Sequence, residues 1–503
     1  MRRVVSLYLP RWSTDRLRRG LGYALPPETP LVLKGSDGRK RVVTAVDRAA
    51  AGQGLHVGMP LAKAQALVEG LAVHDADAHA DAEALDALAR WALRRFSPVV
   101  AADPPNGLVI DITGAAHLNG GEDGVLTMLV QALKAESITA RAAVADTWAA
   151  AYAAARFLPG RTAVMGPARD WLPALPLNAL RLTRDVVSGL GLLGFETIAD
   201  LLAQPRAPLV RRFGLDLARR LDQAFGHVHE PIDPVRLPDV TQVERVFAEP
   251  IGAPETIARY TGKLTEGLCD ALEGKGMGAR QLDLVFYRTD TRIEAVRVVM
   301  ARPVRDIKRL TRLLCDQIET VDPGFGIERM RLVATEAEPL VLTQTGTDDA
   351  TKAPDLSALI DTLSNRIGAE RIFCLQPVES DVPERSVVRA GALDADTGQT
   401  WPAHWPRPLR LFRTPETVTT LSLLPDYPPR TFIWRGVRHT VTRADGPERI
   451  FGEWWKREAE TDALRDYFHV EVEDGRRFWL FRTGDGESRE PDKQKWYVHG
   501  VFS

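Results

Sequence analysis

Val4 to Leu9 is a short run of β-branched and apolar residues, and from Arg11 to Leu17 the spacing changes to helical period. A strand followed by a helix is therefore predicted at the start of the chain. Arg41 to Val46 predicts a second strand, and the glycine-containing turn AAGQGLHVGM leads into a helix over Pro60 to Val68. Asp81 to Phe96 places Leu85, Leu88, Ala92 and Phe96 on one helical face. A strand at Leu108 to Ile112, a helix at Gly124 to Ala135, a strand at Thr139 to Ala145 and an Ala-rich helix at Trp148 to Phe157 follow. Strands alternating with helices predict an α/β layer.

Pro167, Pro173 and Pro176 mark a linker, and Leu180 to Phe225 is then almost wholly helical. From Val243 to Val333 the order strand, helix, strand, strand, helix, strand predicts a ferredoxin-like βαββαβ layer. Leu342 to Pro354 is polar and predicts a tether, and a helix follows at Leu356 to Ile367. From Trp401 onward, seven of the eleven tryptophans fall among short strand-like runs such as TFIWRGVRHTV and RFWLF, which predicts a separate β-rich domain. The chain thus divides at 1–168 (with an insertion at about 25–75), 169–238, 239–340, a linker at 341–354, and 355–503.

With 503 residues, three or four domains are expected, and 45% hydrophobic with 26% charged residues is a folding composition. Cys269, Cys315 and Cys374 are too few and too scattered for a disulfide framework or a zinc ribbon, which fits a reducing cytoplasm. The apolar stretch of MRRVVSLYLPRW is too short for a signal peptide, and no run approaches the roughly 18 apolar residues of a membrane span. At a formal net charge of -2, nucleic-acid affinity would have to come from local patches.

The segment VVTAVDRAAAGQGLHVGMPLAKAQAL resembles the fingers-palm junction of Y-family translesion DNA polymerases, above all at Gly54-Leu55 and Gly58-Met59-Pro60-Leu61-Ala62. FSPVV at Phe96 and IDITG at Ile110 are similar to palm strands of that family, and LGFETIADL with RRFG resembles its thumb. The four matches occur in the family's order. Within it, SLYLPRWSTDRL, GPERIFGEWW, RDYF, RFWLF and WYVHGVFS resemble the ImuB-type branch. The resemblance implies an α/β multidomain architecture: palm with inserted fingers, a helical thumb of helix-hairpin-helix type, a ferredoxin-like little finger and a β-rich C-terminal domain.

The family's phosphoryl transfer uses two divalent ions held by carboxylates. Its pattern puts an Asp-x-Asp on the first strand and an Asp-Glu pair before a later one. Here these four positions fall on Tyr8 and Pro10, and on Asn106 and Gly107. The family's nucleotide contacts map to Arg48, Ala51 and Tyr152. Neither metal nor cofactor is expected, and the resemblance implies a non-catalytic adaptor in SOS-induced mutagenic translesion synthesis. Its implied partners are primer-template DNA, an error-prone DnaE-type polymerase, the RecA-like ImuA and the sliding clamp. The alternative is an active low-fidelity polymerase with relocated ligands, for which Asp103, Asp111 and Asp47 are the candidates.

Between Lys275 and Arg312 ten Lys or Arg face four Asp or Glu, and Arg280, Arg288, Arg292 and Arg297 lie on the paired strands. Such residues can line a phosphate backbone, as can Arg211 and Arg212 before Phe213-Gly214. A solvated sheet face and a plain helical bundle are the competing readings. Gly189-Leu190-Gly191 offers a hairpin glycine pair of ambiguous register. For partner contact the candidates are Leu409, Leu411 and Phe412 in PLRLF, which lacks the Gln of a clamp-binding peptide and reads equally as a strand, and Trp454 and Trp455, which cannot both face inward on a strand. His227 and His229 lack further ligands nearby for a metal.

Overall fold

β1 (Val4–Tyr8) is followed within two residues by Pro10, whose ring cannot supply a backbone donor, and α1 (Trp12–Leu21) starts shortly after it. The computed structural model describes residues 2–22, 25–158, 162–237, 240–340, 355–395, 397–398, 400, 407–422, 427–453, 464–484 and 495–502. β2 (Leu31–Ser36), β3 (Arg41–Val46) and β4 (Ala72–Asp75) form a small sheet ordered β3-β2-β4. Between β3 and β4 run α2 (Arg48–Gly52) and α3 (Leu61–Leu67), and Val32, Val43, Leu55 and Met59 make a core of their own. The glycines of the motif have a local cause. Gly54 and Gly58 both hold positive φ, at 85° and 86°, which lets the turn come back so that Val43 donates to Met59 O and Gly58 to Val43 O.

α4 (Ala78–Arg95) leads into β5 (Val99–Asp103) and β6 (Gly107–Asp111). After α5 (Gly121–Ala135), β7 (Arg141–Ala145), α6 (Trp148–Phe157) and β8 (Thr162–Val164), the main sheet is complete in the order β5-β6-β1-β7-β8. Alternation along β1 separates two faces. Val5, Leu7 and Leu9 bury against Leu85, Ala89, Ala92, Leu126 and Leu129 of α4 and α5. Val4, Ser6 and Tyr8 point to the other face. Asp103 is the last residue of β5, paired opposite Gly107.

The helical segment runs through α7 (Ala168–Trp171), α8 (Arg184–Gly191), α9 (Ile198–Leu202), α10 (Arg206–Phe213) and α11 (Leu215–Ala224). Thr197 and Asp200 cap α9 reciprocally. The supposed hairpin pair Gly189-Leu190-Gly191 lies inside α8, and a β-carbon at Gly189 would sit 3.1 Å from the Phe213 ring, so close helix packing accounts for that glycine.

β9 (Thr241–Ile251), α12 (Pro254–Glu273), β10 (Met277–Arg288), β11 (Ile293–Val304), α13 (Ile307–Cys315) and β12 (Ile327–Pro339) reproduce the expected βαββαβ order, with sheet order β11-β10-β12-β9. Leu282, Leu284 and Phe286 bury against α12 and α13. The tether at 341–354 lies outside the described residues. α14 (Ser357–Ile367) then hydrogen-bonds to the edge strand β11, so the first compact unit extends to Ile372 and takes in a helix assigned from sequence to the C-terminal domain.

The second unit, Phe373–Ser503, opens with the hairpin of β13 (Phe373–Pro377) and β14 (Val387–Gly391). β15 (Arg410–Leu421), β16 (Thr431–Trp434), β17 (Val437–Phe451), β18 (Leu464–Val472), β19 (Arg477–Thr483) and β20 (Trp496–Val501) close into a barrel in sequence order, filled by Phe432, Phe468, Phe478, Leu480 and Val498. The β-rich domain is thus present, and Trp479 belongs to its core at 0% exposure. No helix among the described residues is long and apolar enough to cross a membrane.

Candidate functional site at the end of the central strand

The antiparallel pairing of β1 with β6 sets Tyr8 opposite Gly107, and Leu9 N donates to Asn106 O at 2.9 Å. The register therefore brings Tyr8, Pro10, Asn106 and Gly107 to one end of the sheet. Asp111 is at the other end, opposite Val4, and does not join them.

What fills the space over this strand end is Arg156 of α6. Its guanidinium carbon lies 4.6 Å from the Tyr8 ring centre and 3.6 Å from that of Tyr152. Arg181 continues the stack, 5.1 Å from Tyr152 and 4.7 Å from Trp148. Rings and guanidiniums thus alternate, an arrangement held by attraction of each cation to the ring faces. Polar anchors fix both arginines. Arg156 donates to Ser6 Oγ at 3.3 Å and to Asp103 Oδ2 at 3.4 Å, and Arg181 donates to Glu230, which also accepts from Arg220 at 3.1 Å. A β-carbon on Gly107 would meet Arg156 Nη2 and Leu7 O, each at 2.8 Å. Gly107 is the side-chain-free floor on which the guanidinium rests.

Burial raises the Asp103 carboxyl above its ordinary pKa, and Arg156 and Arg181 pull it back. Burial likewise lowers the pKa of Arg156, opposed by Tyr152 and Asp103. The other two candidate carboxylates are also engaged. Asp47 caps α2 through Ala50 N at 2.8 Å and pairs with Arg18, while Asp111 pairs with Arg2 at 2.7 Å. The three aspartates are held apart by separate arginines, and no group of three His, Cys, Asp or Glu suited to a metal occurs among the described residues. Arg48 and Ala51 are both exposed on α2.

Sequence reasoning singled out Tyr8, Gly107 and Tyr152 but missed Ser6, Arg156, Arg181 and Glu230. One signal was available: Tyr152 and Arg156 are four apart on a predicted helix and so share a face.

The basic candidates separate. Arg211 and Arg212 are exposed in the last turn of α10. Arg280 pairs loosely with Glu338 at 3.3 Å, and Arg292, 45% exposed, lies 3.5 Å from Asp290. Arg288 and Arg297 correct the expectation of one continuous basic surface. Arg288 is 4% exposed and bound by Asp290 and Asp322, and Arg297 is 3% exposed and bidentate on Asp283. The regular pairing of the two strands sets Arg297 directly opposite Asp283, and carboxylates neutralise both arginines. Arg297 also donates to Leu93 O and Arg94 O at the end of α4, joining the βαββαβ layer to the first sheet's helices.

In the second unit, Leu411 and Phe412 open β15 and pack on barrel clusters, which is the strand reading of PLRLF. Leu409 is 82% exposed. Trp454 and Trp455 lie outside the described residues.

Residues 21–156 match the model of the impB/mucB/samB family, residues 241–348 that of its C-terminal domain, and residues 416–503 a domain of unknown function, DUF6504. Protein ImuB of Caulobacter vibrioides, in two strains, is 45% identical over 462 residues, spanning 89% of this chain and all of that protein. Among solved structures, the insertion ternary complex of Dbh DNA polymerase is 17% identical with a TM-score of 0.39, and DinB from Sulfolobus solfataricus is 16% identical with a TM-score of 0.38. Each covers 66% of this chain and 98% of its own.

Proposed function

Because the chain belongs to the ImuB family, a branch of Y-family DNA polymerase relatives, we propose that it serves translesion DNA synthesis as a DNA-holding adaptor that does not itself polymerise. In this reading the first sheet is the palm, the β2–β4 sheet the fingers, α8 to α11 the thumb and the βαββαβ layer the little finger. The C-terminal barrel would recruit an error-prone DnaE-type polymerase and ImuA, with sliding-clamp docking in the same SOS-induced cytoplasmic assembly.

The observation that carries the proposal is the seat of Arg156. A guanidinium occupies the strand end where the family pattern calls for carboxylates and two dications. Like charges at contact distance repel strongly in a partly buried site, and Asp103 alone cannot offset both a guanidinium and a metal. Relocated ligands are disfavoured by the dispersal of Asp47, Asp103 and Asp111 among three arginines.

Primer extension with magnesium and with manganese tests the non-catalytic part: no incorporation is expected, and incorporation abolished by Asp103→Asn would reject it. Binding of primer-template DNA across a salt series tests the DNA part. Reversing Arg211, Arg212 and Arg280 together should flatten the log-log salt dependence by about 2 to 3, at roughly 0.9 per phosphate contact. Unchanged binding would remove DNA holding from the reading.

A further inference from the structure

A cavity of about 550 Å³ opens at the end of the first sheet remote from Tyr8, between the strand ends, the helical segment and the turn joining β10 to β11. Arg2, Arg169 and Arg292 reach it from three separate parts of the chain. Its two carboxylates, Asp146 and Glu230, are already bound by Arg3 at 2.6 Å and by Arg181 and Arg220, none of which lines the cavity. Arg2 is itself paired with Asp111 at 2.7 Å, whereas Arg169 and Arg292 are only loosely paired, 3.7 Å from Asp170 and 3.5 Å from Asp290, and keep N–H donors for a ligand.

Two further groups give the cavity a direction. His229 Nδ1 is 2.8 Å from Arg2 Nη1, and since the arginine can only donate, the imidazole accepts there and carries its proton on Nε2. Burial, with Arg2 and Arg292 adding to it, lowers the His229 pKa to about 4, so this neutral donor form holds at physiological pH. Gln223, only 7% exposed, lines the cavity with its Oε1 unpartnered. A buried acceptor left unmade costs about 1–3 kcal/mol unless a donor is brought to it.

We infer that this cavity binds a nucleoside phosphate, with the phosphate on Arg2, Arg169 and Arg292 and an exocyclic base amine donated to Gln223 Oε1. An inorganic anion would satisfy the arginines yet leave most of the volume and the glutamine unfilled. A neutral ligand would bring no anion to the loosely paired Arg169 and Arg292. The volume falls in the range of roughly 300–1,000 Å³ usual for small-molecule sites. Bound there, the nucleotide would bridge the first sheet, the helical segment and the βαββαβ layer. The inference does not depend on whether the chain polymerises.

Isothermal titration of the full-length protein with ATP, UTP and inorganic phosphate tests it, with DNA-free and DNA-saturated protein as separate arms. Saturable ATP binding is expected, tighter than UTP because uracil has no amine to donate. Arg169→Ala with Arg292→Ala, both on exposed side chains, should weaken it about tenfold, or 1.4 kcal/mol. Gln223→Leu should erase the preference for ATP while leaving phosphate-dependent binding. No saturable binding at millimolar nucleotide, affinity unmoved by the double variant, or equal affinity for inorganic phosphate would each overturn the inference. Loss of ATP binding in the DNA-saturated arm would reassign the arginines to a DNA backbone and overturn it too.

Discussion

The Arg156 guanidinium is packed 4.6 Å from the centre of the Tyr8 ring, directly above the pairing of Tyr8 with Gly107. The contact means that position 8 cannot be altered without changing the environment of a buried cation. An aspartate there would meet Arg156 before it met any metal, and the pair would form a charge-assisted hydrogen bond with the guanidinium. Tyr8→Asp combined with Pro10→Asp should therefore give no nucleotide incorporation in primer extension with magnesium or manganese. Appearance of template-directed products from that double variant would show that Arg156 is no obstacle.

Arg297 and Asp283 form a bidentate pair at 2.7 and 2.8 Å with side chains 2% and 3% exposed, and Thr335 donates to the same carboxylate. Arg297→Ala would strand Asp283 without its cation and release the α4 carbonyls of Leu93 and Arg94. Breaking a buried pair on one side typically costs about 3–5 kcal/mol, whereas replacing both members with apolar residues costs far less. Urea denaturation of R297A should show a loss of that order, and the R297L/D283L double variant a clearly smaller one. A loss below about 1 kcal/mol in R297A would mean the pair is solvated in solution.

Much of this architecture was legible because period and turn chemistry were strong. The βαββαβ order followed from alternation along β10 and β11 and the helical stripe between Glu255 and Leu272. The small β3-β2-β4 sheet was seen only in part, since Leu31–Ser36 and Ala72–Asp75 are short strands in polar surroundings. Tyr8, Pro10, Asn106 and Gly107 were picked out by counting along the chain, but Arg156, which packs over that strand end, was not. Arg156 and Arg181 are 25 positions apart, and only the fold stacks them on the same tyrosine. Charge counting failed for Arg288 and Arg297 for a related reason: a basic residue tallied by itself does not reveal its carboxylates, Asp283 opposite Arg297 on the next strand and Asp290 and Asp322 in the loops around Arg288.

Glu294 lies where β11 meets the first sheet, in a crevice shared with Arg2, Ser97 and Asp111. Burial, reinforced by Asp111 and Asp322 and opposed by Arg288 and Arg2, raises its carboxyl pKa to about 7 from 4.5. An acid raised in the fold contributes stability that is complete below 4.5 and lost as pH climbs through 7. His229, lowered to about 4 from 6.5, acts the other way: its contribution is complete above 6.5 and lost as pH falls toward 4. Between pH 5 and 6.5 the two slopes oppose each other. Glu294→Gln should remove only the first, making the variant more stable than wild type at pH 8 by up to roughly 3 kcal/mol, with the difference vanishing toward pH 5. Denaturation curves from pH 5 to 8.5 check this, and a difference independent of pH would rule out titration of Glu294 as the cause.

Asn365 of α14 reads the edge strand β11 as another strand would. Its Oδ1 accepts from Val299 N at 2.9 Å and its Nδ2 donates to Val299 O at 2.7 Å, while Asp361 Oδ1 accepts from Ala301 N at 2.8 Å and its carboxylate pairs with Arg309. Both side chains are buried, at 3% and 0% exposure, so these are the partners that an otherwise open sheet edge requires. Asn365→Ala should expose the Val299 amide and cost about 1–3 kcal/mol, the price of leaving buried backbone groups unmade. Hydrogen exchange offers the direct readout: protection at Val299 and Ala301 should fall in N365A, with β10 and β12 unaffected. Asp361→Asn should keep protection at Ala301, because an amide oxygen can still accept from its N–H, while loss of the ion pair with Arg309 lowers overall stability. If Val299 exchanges as slowly in N365A as in wild type, α14 is not what closes that edge.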